Sequence, residues 1–198
     1  MKPILALSIF IFFGGSFALA QEPVWLKQTK ISEVIAFEKR VNPSVKFLSE
    51  NVSLSKEYYP LNEKYHTTKP LIVQRKPLKY LTLNAEYFFT PGDSVLRLVS
   101  YDWEEERYSN LFDKQRMWKE EGKKMDVYNK EYERIKEMLL SQLGKPTADD
   151  NSPKEVTSDG SKYLNRDTFW EDENLYANLN LIFASSTYRI RLTVYWKK

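Results

Sequence analysis

The chain of 198 residues has no cysteine, one histidine and only six glycines. Each scarcity removes a class of chemistry. Without cysteine there is no thiol nucleophile, no disulfide and no thiolate metal ligand. A Cys/His zinc site is out of reach with His66 alone, so no metal and no cofactor are expected. A Ser-His-Asp triad would have to use His66, which lies in "NEKYHTTKP" without a G-x-S-x-G elbow. A lone histidine in so polar a segment reads as a solvated surface residue. Gly14 and Gly15 fall in the first twenty residues, and the rest form no phosphate-cradling loop. Charge of one sign is also lacking. Lys+Arg 30 against Asp+Glu 27 gives +3, and no basic block runs five or six long. That speaks against nucleic acid as a partner. No stretch after the first twenty residues is long and apolar enough for a transmembrane helix.

What is present starts with an address. Lys2 precedes "ILALSIFIFF", and "GGSFALA" ends in Ala18-Leu19-Ala20, the small-x-small pattern read by signal peptidases. Residues 1–20 read as a signal peptide cleaved before Gln21, and residues 21–198 as one globular α+β domain, periplasmic or secreted. With no cysteine at the cleavage site the chain is not a lipoprotein. Asn51-Val52-Ser53 is a glycosylation sequon, relevant only in a eukaryotic host. A cysteine-free exported chain depends on its core, and Tyr 13, Phe 11 and Trp 5 supply core material.

The carboxylates fit no template. Asp149-Asp150 and Glu171-Asp172-Glu173 are candidates for paired-acid hydrolysis, but neither spacing fixes a geometry. "DDNSPKEVTSDG" departs from the calcium loop D-x-[DN]-x-[DN]-G.

Periodicity outlines the fold. Ile31, Val34 and Ile35 share one face of a short N-terminal helix, with Thr29 as its cap and Asn42-Pro43 as its stop. Ser44 to Lys79 reads as loops with one or two short strands. Leu81, Leu83, Ala85, Tyr87 and Phe89 alternate with polar residues in a half-buried strand. A four-residue turn over Thr90–Asp93, type II at Pro91-Gly92, returns the chain as "VLRLVSYDW". That register needs a bulge near Leu98–Val99 to keep Tyr101 and Trp103 on the dry face. A heptad-spaced stripe (Leu111, Trp118, Met125, Tyr132, Leu139), joined by Tyr128 and Ile135, predicts one long helix over about 104–143. Asp102 and Glu105 are its capping box, and Gly144 and Pro146 stop it. The polar stretch 148–165 reads as a long loop. The expected fold is α+β: an antiparallel sheet of two hairpins, about 80–103 and 175–196, with both helices packed on one face.

The last hairpin carries the candidate site. Odd positions Leu175 to Phe183 and even positions Tyr188 to Trp196 are apolar. Both sets share a face if the loop holds two or four residues, and Ser185-Ser186 is a poor two-residue turn, which favours four. The opposite face then sets Tyr176 against Tyr195, Asn178 against Thr193, Asn180 against Arg191 and Ile182 against Arg189. Arginine forks, tyrosine surface and asparagine amides on a rigid sheet suit a protein, peptide or saccharide partner. The candidate binding residues are Tyr176, Asn178, Asn180, Arg189, Arg191, Thr193 and Tyr195, and none is assigned a catalytic role. The expected function is that of an exported, non-enzymatic binding protein. The alternatives are a carboxylate-dependent hydrolase acting on envelope or extracellular polymers, and a structural part of an envelope assembly.

Overall fold

The computed structural model describes residues 23–76, 81–105, 121–158, 160–184 and 187–198. Three helices lie among them: α1 (Ile31–Val41), α2 (Asn62–Tyr65) and α3 (Glu121–Leu143). The strands are β1 (Phe47–Leu48), β2 (Leu71–Arg75), β3 (Leu81–Phe89), β4 (Leu96–Glu105), β5 (Ala148–Asp149), β6 (Lys154–Ser158), β7 (Ser161–Glu171), β8 (Leu175–Ala184) and β9 (Thr187–Trp196). The fold is α+β, and every pairing in the sheet is antiparallel.

Two hairpins understate this sheet. Its nine strands run β1-β2-β3-β4-β9-β8-β7-β5, with β6 also pairing β7. The excursion that holds α3 carries the chain from β4 to the far edge. The chain then works back until β9 closes the gap between β4 and β8.

One face of the sheet is dry. Leu81, Leu83, Ala85 and Tyr87 of β3 join Val99, Tyr101 and Trp103 of β4 in a single core. Ala177, Leu179, Leu181 and Phe183 of β8 and Tyr188, Ile190, Leu192, Val194 and Trp196 of β9 extend it. Val34 of α1 and Tyr128, Tyr132, Ile135, Met138 and Leu139 of α3 cover it. Burial of one side chain of this kind contributes roughly 1.5–3 kcal/mol, so this face supplies most of the stabilisation.

An ion pair is sealed into that core. Glu38 of α1 is wholly buried and Arg75 of β2 nearly so. Arg75 donates through Nε to Glu38 at 3.0 Å and through Nη1 to the Pro23 carbonyl at 2.7 Å. Arg75 Nη2 and the Tyr87 hydroxyl both donate to the second Glu38 oxygen. The Tyr101 oxygen accepts from the Trp25 amide at 2.6 Å. A buried charge pair survives only with its remaining hydrogen-bond capacity filled, and these partners fill it.

Several sequence expectations need correction. The helix placed at 104–143 starts too early: β4 continues to Glu105, and the described helix is Glu121–Leu143. Asp102 and Glu105 are therefore strand residues and not a capping box. Leu111 and Trp118 lie outside the described residues. Helix α1 begins after Lys30, with no side-chain cap from Thr29. The turn after β3 places Ser94, not Gly92, in the left-handed region (φ 59°). The expected bulge is present, at Arg97 beside Leu98, because Phe88 pairs with Leu98 while Phe89 pairs with Leu96. It restores Tyr101 opposite Ala85 and Trp103 opposite Leu83. The polar stretch 148–165 is not a loop but β5, β6 and the start of β7. The last hairpin stays paired as far as Ala184 and Thr187, residues that the expected four-residue loop would have left unpaired.

Candidate functional site

The second face of the sheet is polar at its centre and apolar at one end. Its central register is Tyr176↔Tyr195, Asn178↔Thr193, Asn180↔Arg191 and Ile182↔Arg189. On the other side of β9, Ser100 pairs with Thr193, Asp102 with Arg191 and Glu104 with Arg189. Phe88, Leu98 and Tyr195 make the apolar end and need a cover. The segment before α2 supplies one: Tyr59 is buried against these three, with Leu54, Tyr58, Leu61, Tyr65 and Tyr176 around them.

This cover corrects the picture of an open wet face. Thr193 and Tyr195 are buried, and the other five candidates are half-buried. All seven nevertheless line one cleft of about 300 Å³, together with Glu57 and Tyr58 from the covering segment. The Tyr58 hydroxyl donates to Ser100 at 2.7 Å and accepts from Thr193 at 3.3 Å. The Arg191 guanidinium lies 5.3 Å from the Tyr58 ring centroid, a cation–π contact. The covering segment is therefore tied to the sheet beside the cleft.

At one end of the cleft, Tyr176 stacks on Tyr195 with ring centroids 4.6 Å apart and planes 18° from parallel. Burial, with the neighbouring Tyr195, pushes the Tyr176 hydroxyl up to about 12, and burial also raises Tyr58 and Tyr195. All three are neutral donors at physiological pH. At the other end, Arg191 grips Asp102 with a two-pronged fork, Nε at 2.6 Å and Nη2 at 2.8 Å. Burial disfavours the Arg191 charge, but the Asp102 bonds outweigh it and hold Arg191 cationic. Arg189 is placed differently. Its Nε is buried without a hydrogen bond, and the Asp102 and Glu104 carboxylates stand 3.7 and 4.0 Å away.

Between these ends, β7 holds a carboxylate that organises amides. Asp167 Oδ1 accepts from Asn178 Nδ2 at 3.0 Å and from Asn180 Nδ2 at 2.9 Å. Asp167 Oδ2 accepts from Asn165 Nδ2 at 2.6 Å, and Asn180 Nδ2 also donates to Asn165 Oδ1 at 2.9 Å.

The acids singled out in the sequence lie elsewhere. Asp149 accepts from Lys136 at 2.5 Å and from Thr168 at 2.8 Å, and these contacts outweigh burial and lower its carboxyl. Asp150 is bound by Lys154 and by the Asp167 amide, which lower it too. Asp172 caps a turn through the Asn174 and Leu175 amides, Glu171 pairs with Lys197 at 2.8 Å, and Glu173 with Lys198 at 3.6 Å. A different carboxyl was missed. Glu86 on β3 shares the polar face, and burial, then the charge of Asp102, raises it above the ordinary value. His66 is exposed and ends α2 in the left-handed conformation (φ 45°). Among the described residues no group of three or more His, Cys, Asp and Glu could hold a metal ion, and no helix is long and apolar enough to cross a membrane. Set against protein-family models, curated proteins and solved structures, the chain matches none of them.

Proposed function

We propose that this chain is an exported, non-enzymatic binding protein whose ligand sits in the cleft over β8 and β9. One observation carries the reading. Seven residues chosen from strand parity alone surround a single cleft with Glu57 and Tyr58. The setting suits recognition: rigid strands, aromatic surface, oriented amides and one incompletely bonded arginine. Export rests on the pattern of residues 1–20, which lie outside the described residues. Intact mass of protein recovered from the cell envelope or medium should begin at Gln21. A mass that retains Met1 to Ala20 would overturn the export reading.

The binding reading is tested by capture. Protein immobilised through its C-terminus should recover material from envelope extract or medium. A double variant, Asn178→Ala with Arg189→Gln, should recover at least tenfold less with an unchanged denaturation midpoint. Equal recovery would remove the cleft from the function.

A second reading has one observation in its favour. Burial raises the Glu86 carboxyl, and an acid raised in this way suits the general-acid role of a hydrolase. Glu86→Gln should then abolish hydrolysis of an envelope polymer. The binding reading expects no turnover to abolish.

A further inference from the structure

The binding reading leaves the ligand's chemistry open, and the hydrogen bonds of the cleft narrow it. A carboxylate offers acceptors only. Asp167 therefore fixes which end of each amide faces it: Asn178 and Asn180 both turn their Nδ2 groups to it. Their carbonyl oxygens accept no hydrogen bond among the described residues. Two acceptors of fixed orientation thus belong to Asn178 and Asn180, alternate residues of β8 that line the cleft. A partner for them must donate protons.

Arg189 makes the opposite demand. Both Asp102 oxygens already accept from Arg191. The 3.7 Å from Asp102 to Arg189 Nε exceeds a direct hydrogen bond of roughly 2.7–3.2 Å. Glu104, at 4.0 Å, reaches only the far edge of the guanidinium. Nε itself is buried, so a ligand in the cleft meets the exposed remainder of this half-buried guanidinium, whose long contacts to Asp102 and Glu104 leave it donors to spare. A planar carboxylate matches the guanidinium fork best, as the neighbouring Arg191–Asp102 pair illustrates.

The backbone excludes one large class. An extended peptide gains affinity by adding to a sheet edge through main-chain bonds. Strand β8 is paired on both sides, by β7 and β9, and β9 by β8 and β4. Recognition here falls to side chains alone. Tyr176 adds an aromatic ring, half-buried in the cleft wall.

We infer that the cleft takes an acidic saccharide. Its hydroxyls donate to the Asn178 and Asn180 carbonyls, its ring lies against Tyr176, and its carboxylate accepts from Arg189. Asp167 is a positioning residue that sets the amides. This inference rests on the cleft being the binding site.

Trigalacturonate, its methyl ester and maltotriose serve as probes in calorimetric titrations of the purified protein. Trigalacturonate should bind at least tenfold more tightly than its ester, and maltotriose more weakly than trigalacturonate. Arg189→Gln should erase the acid–ester difference. Asn178→Ala should weaken acid and ester alike. Asp167→Asn, which replaces one of two accepting oxygens with a donor, should do the same while the denaturation midpoint reports folding separately. Equal binding of acid and ester, discrimination that survives Arg189→Gln, or no binding of trigalacturonate would each overturn the acidic-saccharide assignment. If cleft-dependent capture persists in that event, only the ligand class has failed. If capture is also indifferent to the double variant, the cleft reading has failed with it.

Discussion

The two faces of the sheet each hold an arginine–carboxylate pair, and the pairs serve different ends. Arg75 and Glu38 lie on the helix side, with side chains 5% and 0% exposed. Two charged residues, a tyrosine hydroxyl and the carbonyl of Pro23 close that network. Arg191 and Asp102 lie on the cleft side, with side chains 27% and 9% exposed, and next to them stands an arginine whose bonding is incomplete. The first pair locks α1, β2 and the segment at Pro23 to the core. The second stands beside the cleft, and Arg191 lines it. A closed network speaks for structure, and an open donor beside a closed pair speaks for binding.

Mutations can break or sharpen that contrast. Glu38→Ala would strand Arg75 in the core and should cost about 3–5 kcal/mol in chemical denaturation. Arg191→Ala would leave Asp102 near a single, poorly placed cation. It should cost about 2–3 kcal/mol, less than Glu38→Ala because water reaches this pair. Replacing both Arg189 and Arg191 is therefore a poor probe of binding, although parity alone makes the two look equivalent.

Glu86→Gln should act in the opposite direction. Glu86 has its folded-state value raised, so its ionisation at neutral pH opposes folding. Stability lent by its protonated form is full below the ordinary value of 4.5 and is lost as pH rises through the folded value. The amide should therefore stabilise the protein at pH 7, with the advantage vanishing below 4.5. A denaturation series across pH checks this, and an advantage that grows on acidification would refute the sign. Arg189→Gln should stay within about 1 kcal/mol, since its charge contacts are long, yet lower cleft-dependent capture, by less than the double variant does. The smallest effect is expected at His66. His66→Gly suits the left-handed backbone there and should leave the denaturation midpoint within about 0.5 kcal/mol of the parent and capture unchanged.

The candidate site was legible where alternation was strict. From Leu175 to Trp196 every second residue is apolar, so parity alone sets which side chains oppose across β8 and β9. The loop length was read less well, because Ser185-Ser186 lacks the usual turn residues while the register is the same for two residues or four. Strands β5 and β6 were hidden for a physical reason. In Lys154–Ser158 only Val156 is even half-buried, so no dry face imposes alternation. Arg166 is buried with partners from far along the chain: Asn129, Glu133 and the carbonyls of Asp150 and Asn151. Glu104 and Glu105 imitate the acidic start of a helix, but they end a strand beside β9 and β3. The cover over the cleft left only an indirect trace. Phe88, Leu98 and Tyr195 are large side chains on an otherwise polar face, and such residues call for a lid whose identity local pattern does not reveal.

The position of β9 has a consequence in time. It is the last of the nine strands to leave the ribosome, yet it sits between β4 and β8. Asp102 must wait 89 residues for Arg191, and until then β4 and β8 each present a naked edge. Closure of so long a loop is slow, and exposed strand edges recruit other chains. An incomplete chain cannot join the halves of its sheet and is sticky while it waits. A chaperone that masks the β4 and β8 edges, or transport before β9 is made, would protect it. Loss of β9 would cost more than ten residues of sheet, because it would leave two half-sheets with nothing between them.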